Sequence, residues 1–101
     1  MQALQLDPKL VSAFELFGTK WTYLIIYILS IDAKRFKKIS SVIPNISERV
    51  LSDRLNKLIA AGIITKRVYS EEPMCMKYEL TEKGKNLKPV VNAIQNWVEK
   101  F

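Results

Sequence analysis

Arg49, Ser52, Asp53 and Asn56 stand at i, i+3, i+4 and i+7, the spacing that lines side chains along one face of a helix. They are short or planar hydrogen-bonding groups, the types that read base edges in the DNA major groove. An arginine can bridge guanine O6 and N7, and an asparagine can pair with adenine. Asp53 can only accept, which suits cytosine N4 or the neutralisation of a nearby arginine. Ser47, where the segment begins, completes the candidate base-reading set. The competing interpretation is a solvated helix face, but such faces usually carry more glutamate and lysine than this one does.

Basic residues surround that stripe. Arg35, Lys37 and Lys38 precede it, Arg54 and Lys57 flank it, and Lys66, Arg67 and Lys77 follow in the next segment. All eight suit phosphate contact, which fixes register and supplies affinity without carrying sequence information. Taken singly, each fits a solvated surface as well; their clustering is what points to a polyanion. The chain's formal net charge of +6 and pI near 9.6 agree with an anionic partner. Glu71 and Glu72 argue the other way, since phosphates would repel them.

Other chemistries lack their parts. Histidine is absent, and Cys75 is the single cysteine. That excludes an internal disulfide, a cysteine-based zinc site and the usual hydrolase triads. Gly18, Gly62 and Gly84 are the only glycines and form no phosphate loop. No enzymatic activity, metal or cofactor is expected. The N-terminus has no signal-peptide pattern, and the longest apolar run, Tyr23 to Leu29, is too short to span a bilayer. A soluble, cytoplasmic protein without a membrane partner is expected.

These residues need elements to hold them. With 101 residues, 49% of them apolar and 26% charged, the chain reads as one domain over 1–101. A first helix is predicted from Lys9 to Phe17 behind Asp7-Pro8, with Leu10, Phe14 and Phe17 on one face. A second, apolar nearly all round and therefore largely buried, covers Trp21 to Ser30. A third covers Lys34 to Val42, with Phe36, Ile39 and Ile43 at core spacing, and Pro44 stops it. After the turn Asn45-Ile46-Ser47, Ser47 caps a fourth helix reaching Ala61. Leu51, Leu55, Leu58 and Ile59 form its buried face, and Gly62 supplies a left-handed cap. Strands are predicted over Ile63–Ser70 and Met76–Leu80, joined by a turn from Glu71 to Cys75. Thr81 then caps a continuous last helix, Glu82 to Phe101. Its Leu87, Val91, Ile94, Val98 and Phe101 are spaced 4, 3, 4, 3, with Trp97 beside them. That row either packs on the chain's own first helix or forms a two-fold seam. A helix-turn-helix gains affinity and palindromic selectivity by pairing, which favours a dimer through Leu10, Phe14, Val91, Ile94, Trp97, Val98 and Phe101. The fold expected is α+β, mainly α: a winged helix-turn-helix with a two-stranded hairpin wing over about 63–80 and terminal dimerisation helices.

The order of these pieces resembles a known family. Gly18-Thr19-Lys20-Trp21 before an apolar helix is similar to the Gly-x-Lys-Trp segment of the HxlR-type winged helix-turn-helix regulators, relatives of the MarR family. Arg35-Phe36, Ile46-Ser47, Leu51-Ser52, Arg54-Leu55 with Leu58, and Ala61-Gly62-Ile63-Ile64 fit the same pattern. So do Val68-Tyr69 with Pro73, and Tyr78-x-Leu80-Thr81-x-x-Gly84. The resemblance extends from about Asp7 to Phe101. It implies a transcriptional regulator binding double-stranded DNA as a homodimer, with the fourth helix in the major groove and the wing beside it. It leaves a protein-binding winged helix as the alternative. Many members have Cys-Pro where this chain has Asp7-Pro8, and in some that thiol senses oxidants or electrophiles. With Cys75 in the wing instead, that mechanism does not transfer. A pocket between dimer helices could hold an aromatic effector, though nothing in the sequence demands one.

Overall fold

Asp7, Ser47 and Thr81 each start a helix by the same chemistry. The first turn of a helix has backbone N–H groups without intrahelical partners, and a side-chain oxygen just ahead of it can accept one. The Asp7 carboxylate accepts the Lys9 N–H at 2.8 Å, the Ser47 hydroxyl that of Val50 at 3.1 Å, and the Thr81 hydroxyl that of Gly84 at 3.2 Å.

The computed structural model describes residues 3–101. In chain order it contains α1 (Pro8–Phe17), α2 (Thr22–Ile31), α3 (Phe36–Val42), α4 (Glu48–Ala60), β1 (Ile64–Glu71), β2 (Met74–Leu80), α5 (Glu82–Lys85) and α6 (Lys88–Lys100). The fold is a mainly helical winged helix-turn-helix with a two-stranded antiparallel sheet. Ile25, Ile26, Ile28 and Leu29 of α2 form the core with Ile39, Ile43, Leu51, Leu55, Leu58, Ile63, Ile64, Leu80 and Val91. Each of these buried aliphatic side chains contributes about 1.5–3 kcal/mol.

Helix α4 ends where the glycine signal placed its cap. Gly62 has φ +75°, its N–H donates to the Ile59 carbonyl at 2.9 Å, and the Ile63 N–H donates to Leu58 at 3.0 Å. This pair of bonds is the Schellman motif, and it satisfies carbonyls that the helix end leaves open. Asn45, at φ +66°, makes the corresponding reversal between α3 and α4. Asparagine tolerates that region better than most residues.

Several expectations need correction. Helix α3 begins at Phe36, not Lys34, because Lys34 is extended and pairs with β2. Its N–H donates to the Tyr78 carbonyl at 3.0 Å, and the Tyr78 N–H returns a bond at 2.8 Å. The hairpin turn is tighter than expected, since Glu71 pairs with Met74 and only Glu72-Pro73 lies between the strands. The expected alternation also breaks, because the register shifts between Val68 and Ser70 and leaves Tyr69 as an extra residue. Ile59 is exposed, having turned just past the leucine face. Helix α2 buries only part of its circumference, since Leu24 and Ile31 face outward.

The last helix is not continuous. It breaks at Asn86-Leu87 into α5 and α6, and Pro89 sits in the first turn of α6. Proline has no N–H to donate and its ring clashes with the carbonyl four residues back, so it fits a first turn but not a helix interior. The restart lets α6 leave the core after Val91, the only buried residue of its thirteen. None of the residues of α1 is fully buried. The radius of gyration is accordingly 15.5 Å and the extents 64 × 32 × 26 Å, against about 13 Å expected for a compact chain near 100 residues.

Candidate nucleic-acid interface

Helix α4 divides into two faces because its leucines recur at 51, 55 and 58. All three are fully buried, which fixes the helix's rotation on the core. The opposite side must then face outward, and Arg49, Ser52, Asp53 and Asn56 all do. Arg49, Ser52 and Asn56 have no side-chain hydrogen bond or ion pair among the described residues, so their donors and acceptors are open to a ligand. Ser47 is exposed, but its oxygen is engaged by the Val50 N–H, leaving its hydroxyl proton to offer.

Asp53 is not open in the same way. It pairs with the Arg54 guanidinium and lies 3.3 Å from the Lys57 ammonium. The Lys57 hydrogen bond is the main reason its carboxyl is held below the usual aspartate range. Of its two expected uses, the neutralisation of an arginine is what this structure contains.

Arg54 departs from its expectation as a phosphate contact. Its side chain is only 19% exposed. Nε donates to the Lys20 carbonyl at 2.9 Å, and a terminal nitrogen donates to Asp53. It therefore ties the α1–α2 turn to α4 and offers little charge to solvent. Lys57 remains exposed, as do Arg35, Lys37 and Lys38 around the start of α3.

In the wing, Arg67 and Lys77 are cross-strand partners on one face with Tyr69. The Arg67 guanidinium lies 5.6 Å from the Tyr69 ring centroid and the Lys77 ammonium 4.9 Å. Both distances fall within cation–π range. The Tyr69 hydroxyl donates to Glu79 at 2.9 Å, a bond that raises the phenol's pKa above its ordinary value. Arg67 also pairs with Glu79 at 3.4 Å. Lys66, on the other face, leans over the Tyr78 ring at 5.6 Å. The wing thus presents a basic, aromatic-lined surface along its strands and the exposed carboxylates of Glu71 and Glu72 at its tip.

The residues expected at a dimer seam fall into two groups. Val91 is 4% exposed and belongs to the core of its own chain, so it has no surface to present. It heads the row, where α6 still touches the core. Leu10 and Phe14 of α1, and Ile94, Trp97, Val98 and Phe101 along and beyond α6, are exposed. Trp97 and Phe101 lie 5.6 Å apart by ring centroid and form one aromatic surface. Leu4 and Leu6 ahead of α1, Val11 within it and Val90 in α6 are exposed as well, so both terminal helices carry apolar faces that nothing covers among the described residues. A groove of about 700 Å³, with mainly apolar walls, runs between α1, the end of α4 and α5, lined by Ala13, Leu16, Phe17, Ile63 and Leu87.

Lys20 and Tyr69 enter the sequence only as parts of the family resemblance, and their contacts here were not foreseen. Lys20 lies 34 residues from Arg54, and no local pattern announces that contact. Tyr69 gained its position from the register shift.

Residues 16–101 match the family model described as HxlR-like helix-turn-helix. The HTH-type transcriptional regulator YodB of Bacillus subtilis (strain 168) is 43% identical over 94 residues, 93% of this chain and 84% of that protein. The structure of YodB in its reduced form superposes with a TM-score of 0.84 at 41% identity, covering 96% of this chain and 95% of that one. A MarR-family transcriptional regulator from Porphyromonas gingivalis W83 superposes with a TM-score of 0.83 at 29% identity, covering 98% and 97%.

Proposed function

The chain belongs to the HxlR-like helix-turn-helix family of transcriptional regulators, and on that footing we propose that it binds double-stranded DNA as a homodimer at a pseudo-palindromic operator. The observation that carries the reading is the exposure of Arg49, Ser52 and Asn56 on the side of α4 opposite Leu51, Leu55 and Leu58. The leucines set the helix on the core, and the polar stripe is what remains to enter a major groove. Arg49 and Asn56 read purine edges, while Ser47 and Ser52 adapt to either partner. Asp53 holds Lys57 and Arg54 in place beside the bases.

Arg35, Lys37, Lys38 and Lys57 meet phosphates around the reading helix. Lys66, Arg67 and Lys77 do so along the wing, with Glu79 lowering the net charge of Arg67 until a phosphate competes for it. The acidic tip of the wing stays off the backbone. The exposed apolar faces of α1 and α6 cover each other across a two-fold axis, through Leu10, Phe14, Ile94, Trp97, Val98 and Phe101. Two reading helices then sit one helical turn, roughly 34 Å, apart. Regulation follows from occupancy, as the bound dimer blocks or recruits the transcription machinery. Selection of duplexes from a random pool tests this reading: two related half-sites support it, and enrichment of no sequence contradicts it.

A further inference from the structure

We propose that Lys20 is a DNA-backbone contact that Arg54 sets in place. The inference rests on the DNA-binding reading above and adds a residue from an element outside the α3–α4 pair and the wing. Arg54 turned away from solvent, and its Nε holds the Lys20 carbonyl at 2.9 Å. Its terminal nitrogen holds Asp53, which in turn holds Lys57. Four polar residues therefore form an unbroken chain from the α1–α2 turn to the reading stripe, and Lys20 is its outer end.

The side chain of Lys20 is exposed and forms no ion pair among the described residues. Its ammonium lies 4.7 Å from the Trp21 ring centroid, within cation–π range. That stacking limits its rotamers, so less freedom is lost when a phosphate arrives. Trp21 itself has φ +78°. This left-handed conformation is costly for a bulky side chain and persists only where surrounding contacts impose it. The Arg54 bond to the neighbouring carbonyl is one such contact. A helix seated in a major groove brings its flanking loops toward the sugar–phosphate walls. Lys20 is the flanking cation that the reading helix itself anchors. Asp53 offsets one charge of the clamp while Arg54 is turned inward, so Lys20 and the exposed Lys57 are the two cations that the clamp presents.

The test is fluorescence anisotropy of the full chain with a selected duplex and with an unrelated duplex, over a range of salt. K20A keeps the backbone carbonyl, and so keeps the clamp. It should reduce the slope of log affinity against log salt by about one and weaken both duplexes alike. K100A, at the far end of α6, should leave the slope unchanged. R54A should release Lys20 and lower the slope too, and adding K20A to R54A should then remove little more. If R54A loses its helical circular dichroism, R54M takes its place, because a methionine keeps an unbranched stem but has no donor for the Lys20 carbonyl. A wild-type chain that binds neither duplex overturns the regulator reading and this inference with it. A wild-type chain with a steep slope that K20A retains overturns the role of Lys20 alone. Additive slope losses from K20A and R54A overturn the positioning role of Arg54.

Discussion

The α-carbon of Gly84 packs so closely on the Ile63 carbonyl that a Cβ there would stand 2.2 Å from the oxygen. Around this contact the end of α4 meets the start of α5. Thr81 donates its hydroxyl to the Gly62 carbonyl at 2.6 Å, and the Lys83 ammonium donates to Ala61 at 2.8 Å. The junction connects α4 with the segment that leads into α6.

Gly84→Ala should therefore be disruptive. Overpacking typically costs about 1–3 kcal/mol, and here the obstacle is a backbone oxygen that cannot rotate aside. The lost stability should appear as a lower urea midpoint with an unchanged slope. An unchanged midpoint would mean that α5 can shift without loss.

Arg49→Ala should cost about 1–3 kcal/mol of affinity for the preferred duplex and relax the choice at one base position. The measurement is a titration against single-base variants of the selected site. A uniform loss on all sequences would move Arg49 from base reading to phosphate contact.

Asp53 should titrate below the ordinary aspartate range, with Lys57 as the first cause and Arg54 as a lesser one. A folded-state pKa below the unfolded one stabilises above the unfolded value, and the contribution is lost as pH falls through the folded value. The Asp53 pairing is thus intact at neutral pH and fails only on strong acidification. NMR titration of its carboxyl should show a lowered midpoint that rises in Lys57→Ala. A midpoint that Lys57→Ala leaves in place would assign the shift elsewhere.

Trp97→Glu should yield monomers in sedimentation, because Trp97 and Phe101 form the aromatic end of the exposed α6 face. A burial-free site tolerates the new charge within one chain, so the fold should persist by circular dichroism. A dimer that survives the substitution would put the two-fold contact on another surface.

Local chemistry was legible in the sequence wherever one residue type has one use. Ser47, Thr81 and Gly62 announced helix ends because capping and positive φ depend on the residue itself. The leucine spacing at 51, 55 and 58 fixed which face of α4 is free. Contacts between distant segments were not legible. The clamp between Arg54 and Lys20 and the pairing of Lys34 with Tyr78 arise from tertiary packing, which leaves no local pattern. The left-handed Trp21 ran against its type. The break before α6 has a local signal in Pro89, which fits a helix start and not a helix interior. Val91 shows the cost of reading spacing alone, since the same row serves the core at one end and lies exposed at the other.

The salt dependence of duplex binding tests the central claim most directly. Anisotropy of a labelled, selected duplex should fall steeply as salt rises, with log affinity linear in log salt, as expected when several lysines and arginines displace counterions from phosphates. Binding that salt leaves unchanged, or no binding to any duplex at low salt, would contradict the account.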